Sequence, residues 1–194
     1  LDTLTGNVLF TPRIAAGSYS LQYRIIDTAN LGSSDIATVV VMVTEPMVYA
    51  NPDYATVNGY DGNPALIQVL ANDSINNIAL NIGDVKLTVL SQSSHPGVWL
   101  NDTTGLIKVA PMVSAGLYVI NYKICDTLNT SNCDTASDTV EVLAPIINAH
   151  VDTLVQNGYN ASLNIGNVLD NDSLNMMPIS AGMVKLTTLE PSSI

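Results

Sequence analysis

The chain has 194 residues, 47% of them apolar and only 12% charged, with a net charge of −11. So acidic a chain repels phosphate backbones and anionic headgroups, which argues against nucleic-acid binding and against binding to anionic membranes. The length suits one large domain or two small ones.

The first strongly patterned stretch runs from Tyr19 to Ile25. Tyr19, Leu21, Tyr23 and Ile25 alternate with Ser20, Gln22 and Arg24, which is the period of a half-buried strand. The longest apolar run comes next, Ile36 to Val43, broken by Thr38. It is too short to span a bilayer and suits a buried strand. Further strands are expected around Ala65–Leu70, Val85–Leu90, Val98–Leu100, Leu106–Val109, Tyr118–Ile124 and Thr135–Val142. Clusters of Asn, Asp, Ser, Gly and Pro separate them, and no long segment has a helical period. About seven short strands in about 100 residues is the profile of an immunoglobulin-like β-sandwich. Tyr118 stands two residues after Gly116 at the start of a late strand, where its hydroxyl can bond upstream backbone as a tyrosine corner or serve as a core aromatic.

The sequence matches itself without a gap at an offset of 99 residues. VLANDSI at 69–75 returns as VLDNDSL at 168–174, NGY at 58–60 as NGY at 157–159, and DVKLTVL as MVKLTTL. Of the 95 aligned pairs 36 are identical, the mark of a tandem array. Pro46 and Pro145 come after strand-like runs that proline cannot continue, so they read as junctions. The expected organisation is the C-terminal half of a repeat at 1–45, a complete repeat at 46–144, and the N-terminal half of a repeat at 145–194. Half a repeat cannot bury its own core face, so flanking protein is expected.

The two cysteines, Cys125 and Cys133, flank a short loop between two expected strands. Alternation puts Cys125 on the polar-facing side, and Cys133 shares parity with Thr135 and Ser137. The thiols then meet across a hairpin mouth. At the earlier equivalent positions both are replaced together, by Ile26 and Ser34. Joint loss is what a disulfide predicts, and it implies an oxidising, extracytoplasmic location.

Catalytic chemistry finds little to work with. The only histidines, His95 and His150, do not recur at the repeat spacing, and neither do Glu45, Glu141 and Glu190. No Ser–His–Asp set, zinc spacing or Gly-rich phosphate loop is present, so no enzyme is expected. Lys86 and Lys185 recur, but no recurrent glutamate assists an intramolecular Lys–Asn bond. The recurrent acids Asp53, Asp73, Asp152 and Asp172 are candidate calcium ligands, although no EF-hand-like loop exists. The competing reading is that they shape turns by bonding their own backbone.

The order Asp53, VLANDS, DVKLTV, Gly105, AGLYVINYKICD, then Asn-Cys-Asp and an alternating Val strand, resembles a known repeat type. It is similar to the bacterial Ig-like, cadherin-like tandem repeats of giant cell-surface adhesins, closest to the gliding and biofilm adhesins of Bacteroidetes. That resemblance implies a secreted, non-catalytic surface filament, often exported by the type IX system. Its partners would be neighbouring repeats, surface glycans or other cells. It also implies O-glycosylation at Asp, then Ser or Thr, then an apolar residue. Ser74, Ser173, Thr28, Thr127, Thr3, Thr135, Thr139 and Thr153 fit, and the serines are expected in exposed loops. Two other functions compete: a carbohydrate- or protein-binding module, and a spacer in a large secreted enzyme. Trp99 and Phe10 give little aromatic platform for sugars.

Overall fold

The computed structural model describes residues 1–159 and 164–189. Glu190 lies outside the described residues, as do parts of the 145–194 segment. Among the described residues every regular element is a strand, and no helix is long and apolar enough to cross a membrane.

Two strands open the chain: β1 (Gly17–Ile26) and β2 (Ser34–Val43), paired antiparallel with each other alone. The middle of the chain builds two facing sheets. One holds β5 (Asn63–Gln68), β10 (Leu106–Val109) and β9 (Val98–Asn101), in that order. The other holds β4 (Tyr54–Asn58), β12 (Cys133–Leu143), β11 (Gly116–Asp126) and β8 (Val85–Ser91). In the second sheet β4 runs parallel to β12 and the other neighbours are antiparallel. Two facing sheets of short strands make an immunoglobulin-like sandwich.

Alternation builds the core between them. Along β11, Tyr118, Ile120, Tyr122 and Ile124 are buried, while Leu117, Val119, Asn121 and Lys123 are not. On β12, Ala136, Val140 and Val142 point the same way. Ile67, Val98, Leu100, Ile107 and Val109 meet them from the opposite sheet. Each such side chain, fully buried, stabilises the fold by roughly 1.5–3 kcal/mol.

The recurring NGY motif is a sheet-to-sheet corner. Asn58 Oδ1 accepts from the Tyr60 amide at 2.9 Å, and Gly59 bonds Leu143 and Val113 through its N–H and carbonyl. A Cβ on Gly59 would lie 2.1 Å from the Val113 carbonyl oxygen, so backbone approach demands glycine there.

Short strands complete the order: β3 (Val48–Tyr49), β6 (Ser74–Ile75) and β7 (Ile78–Ala79) form one small sheet. β13 (Ile147–Asn148), β14 (Ser173–Leu174) and β15 (Met177–Pro178) form another. The β6–β7 and β14–β15 hairpins turn through two residues of positive φ, Asn76–Asn77 and Asn175–Met176. Positive φ at both central positions is a type I′ turn, matched to strand twist.

Three expectations need correction. The run Ile36–Val43, expected to be buried, is largely exposed, because β1–β2 has no sheet packed against it. Val69 and Leu70 are buried core residues, but they lie in the turn after β5 rather than in a strand. Cys125, placed on the polar side by alternation, is buried at the end of β11, with its sulfur bonded to Cys133 of the neighbouring strand.

Candidate functional site

At the level of β11 and β12 the sandwich encloses a group of carboxylates. Tyr122 is fully buried, and its Oη lies 3.0 and 3.1 Å from the two carboxylate oxygens of Asp73. The carbonyl oxygens of Val69 and Asn51 lie 3.1 and 3.2 Å from the same hydroxyl. One hydroxyl proton serves only one of these acceptors at a time. Asp73, at 1% exposure, also accepts from the Asn51 amide at 2.7 Å.

Asp138 faces inward from β12 at 0% exposure. Its Oδ1 accepts from the Asp53 amide at 2.8 Å, and the Asp53 carbonyl accepts from the Thr139 amide at 2.9 Å. Asp134, at the start of β12, accepts from the Ala50 amide at 2.9 Å. The Oδ2 atoms of Asp53 and Asp138 are buried without a hydrogen-bond partner. These contacts tie the segment leading into β4 and the VLANDSI turn to the β11–β12 hairpin.

No cation offsets the group: the one ion pair among the described residues is Arg13–Asp84, at 3.5 Å. Burial therefore dominates the proton affinities. It pushes Asp73 up to about 6, with Asn51 and Tyr122 opposing and Asp53 and Asp134 adding to the rise. Burial pushes Asp138 up to about 7, against the Asp53 amide and with the charges of Asp53 and Asp73. Asp53 is raised by burial, and Tyr122 is raised by burial and then by Asp73 and Asp138. Protonated carboxyl groups are the form this buried site favours.

Among the described residues no group of three or more His, Cys, Asp or Glu side chains could hold a metal ion. Asp53 and Asp73 belong to the buried cluster, whereas Asp152 and Asp172 lie in the later segment. There the Asp172 Oδ1 accepts from the His150 amide at 2.8 Å, as Asp73 does from Asn51.

The sulfurs of Cys125 and Cys133 are bonded, with Cα atoms 4.1 Å apart across directly opposed positions of β11 and β12. Tyr118 donates to the Ser114 carbonyl at 2.8 Å, and Tyr19 donates to the Ala15 carbonyl at 2.8 Å, both in the tyrosine-corner arrangement.

The Ser/Thr positions divide by exposure. Thr3, Thr28, Thr127, Thr135 and Thr153 are exposed. Thr139 is half-buried on β12. Ser74 and Ser173, expected in exposed loops, are half-buried strand residues of β6 and β14, because VLANDSI turns before Ser74 and then re-enters a sheet. The aspartates before three of the threonines do form turns. Asp2, Asp27 and Asp126 each accept from the amide two residues on, at 2.9, 2.8 and 2.9 Å.

Two members of the buried cluster, Tyr122 and Asp138, were not among the candidate site residues. The signal existed for Asp138: it shares parity with Val140 and Val142, and its counterpart 99 positions earlier is Val39.

No family model matches this sequence, and no curated protein matches it. Solved structures of cadherin domains resemble it loosely. The human desmocollin-1 ectodomain superposes with a TM-score of 0.40 at 10% identity, covering 61% of this chain and 24% of that one. The protocadherin gammaB4 extracellular domain gives 0.41 at 12%, covering 69% and 23%. Mouse cadherin-23 EC22–24 gives 0.38 at 11%, covering 66% and 42%. The chain spans less than half the length of each. Likeness at this level carries no argument, and the sandwich assignment rests on the strands, register and core described above.

Proposed function

We propose that the chain is a structural segment of a long extracellular bacterial adhesin or filament, made of tandem Ig-like sandwiches and without catalytic activity. The division at residues 1–45, 46–144 and 145–194 belongs to this reading. The observation that carries it is a set of side-chain amide bonds that gather at and across the segment boundaries. Asn132 donates to the Pro46 carbonyl at 2.7 Å, and Asn129 accepts from the Ala16 amide at 2.7 Å. Asn58 and Asn175 exchange two side-chain bonds at 3.1 and 3.0 Å. Asn175 also accepts from the Ile146 amide at 2.9 Å, as Asn76 does from Met47 at 2.9 Å. Contacts that repeat in kind along the chain hold neighbours in a fixed relation, which an array under tension requires.

The disulfide supports an oxidising compartment. Exposed threonines after turn-forming aspartates support O-glycosylation, with Thr28 and Thr127 the best placed. Shaving intact cells with protease and sequencing the released peptides without reduction tests all three parts. The expected result is peptides released before lysis, Cys125 linked to Cys133, and hexose-sized increments on Thr28 or Thr127. Release only after lysis would overturn the surface assignment, and bare threonines would remove the glycans.

A further inference from the structure

Basic side chains are scarce in this chain, six against 17 acids, and their placement is uneven. Four of them, Arg24, Lys86, Lys123 and Lys185, fall on two positions of the 99-residue offset, Arg24 matching Lys123 and Lys86 matching Lys185. The middle sandwich carries both positions together. Lys86 lies on β8 between the core residues Val85 and Leu87, and Lys123 lies on β11 between Tyr122 and Ile124. Neighbours that point inward leave both lysines on the outer face of the sheet.

The register makes the two lysines neighbours. Lys123 stands opposite Thr88 of β8, and Lys86 stands opposite Cys125 of β11. Such diagonal positions lie about 7–8 Å apart, within joint reach of one anionic group for side chains this long. No carboxylate offsets them: among the described residues neither lysine forms an ion pair. Asp84, just before β8, is engaged by Arg13 and by the Asn81 amide. Asp134 turns to the Ala50 amide, and Asp126 to the Leu128 amide and Asn129. Glu141, the acid on the outer face of β12, stands about 20 Å along that strand from Thr135. Polar side chains surround the pair instead. Thr88 and Thr135 flank Lys123 on the two neighbouring strands. Beyond them Asn121 Nδ2 donates to Ser91 Oγ at 2.7 Å, and Ser137 Oγ donates to Asn121 Oδ1 at 2.5 Å.

We infer that the outer face of β8 and β11 around Lys86 and Lys123 binds an acidic polysaccharide. A sugar carboxylate sits between the two ammonium groups, and sugar hydroxyls bond Thr88, Thr135 and Ser137. Charge complementarity sets the occupant: an anion relieves the repulsion between two unpaired lysines on a chain of net charge −11. The same net charge selects among polyanions. A dense phosphate backbone is repelled by the chain as a whole, and β8 and β11 offer a base no aromatic side chain to stack on from this face. A polysaccharide spreads its charge and brings hydroxyls that this face can bond. The site lies within the middle sandwich and stands without the array reading, to which it would add avidity by repetition.

The test titrates alginate, a polymer of uronic acids, into the 194-residue chain and reads amide shifts by NMR. The expected result is saturable shifts confined to β8, β11 and β12. Binding should weaken from about 0.01 M to about 0.15 M salt, as the Debye length falls from about 30 Å to about 8 Å. Lys123→Gln and Lys86→Gln should each weaken it about tenfold, the worth of one hydrogen bond to a charged group. Lys123→Arg should retain it. Lys108→Gln makes the same change of net charge on β10 of the other sheet and should leave binding unchanged. All four variants lie outside the core and should melt as the parent does. Equal weakening by Lys123→Gln and Lys108→Gln would reduce the effect to net charge and overturn the site. No saturable shift with alginate also overturns it and leaves the array reading standing. Neutral dextran bound as tightly as alginate would overturn the role of the lysines. Polyglutamate bound as tightly would overturn the polysaccharide in favour of an acidic protein partner.

Discussion

Asp138 sits on the inward face of β12 between Ala136 and Val140, a carboxyl group where its counterpart Val39 is a hydrocarbon. With Asp73 and Asp53 it forms a buried acidic group that no lysine, arginine or histidine among the described residues neutralises. Water is the better solvent for the charged form, so these groups hold their protons to higher pH folded than unfolded. Their raised proton affinity, to about 6 for Asp73 and about 7 for Asp138, fixes the sign of the pH effect. Stability is full near the ordinary carboxylate range and is lost as pH rises through 6 and then 7. Asp2 and Asp84, both lowered by hydrogen bonds, finish titrating below that window and add no slope within it. The melting temperature should therefore fall between about pH 5 and about pH 8. Asp138→Asn stays neutral throughout and should flatten the upper part of the fall. A melting temperature that holds or climbs across the range would contradict the burial argument.

At the scale of elements, the β11–β12 hairpin carries the most: core tyrosines, the acidic group and the disulfide share it. The bridge closes a loop with a sequence separation of 8, and its loss frees that loop in the unfolded chain. Chain entropy makes this worth about 2–3 kcal/mol. Urea denaturation with and without reductant should show a drop of that size in unfolding free energy, with an unchanged slope. No drop would mean the hairpin ladder alone fixes the loop. Period-two alternation made β1, β8, β9, β10, β11 and β12 legible, since each has one apolar face. β4 was not legible. Its Tyr54 is exposed and bonds Glu141, and its pairing is parallel to a strand some 80 residues on, which local pattern does not encode. The two-residue strands were hidden for another reason. They adjoin turns, and their pairing is set by Asn76 and Asn175 at positive φ rather than by alternation. The cysteine pairing was legible from parity, whereas the burial of Cys125 was not, since parity put it with the unburied Asn121 and Lys123.

For the whole molecule, the proposed array raises the question of what would hold successive segments in line. In that array Pro46 and Pro145 would stiffen the connections, but a proline only restricts its own φ. Orientation needs contacts across the junction, and three hold the one at Pro46 to the middle sandwich. These are the Ala16–Asn129 bond, the Asn132–Pro46 bond, and the Arg13–Asp84 pair. The ion pair is exposed, so its contribution is small. Asn129 matters more: its Nδ2 donates to Asp126 at 2.6 Å, which fixes the amide so that its Oδ1 faces Ala16. Removing it should release residues 1–45 without unfolding the sandwich, whose core lies between residues 67 and 142. For Asn129→Ala we expect the Ala16 amide to exchange with solvent about tenfold faster, the equivalent of losing one hydrogen bond of about 1.4 kcal/mol. Amides of β11 and β12 should keep their protection. Hydrogen exchange read residue by residue by NMR separates the cases. Unchanged exchange at Ala16 would mean the prolines and the Asn132 bond already hold the junction. Faster exchange throughout β11 and β12 would mean that segment and sandwich unfold as one body, and the proposed array would then be held by a shared core rather than by stitched joints.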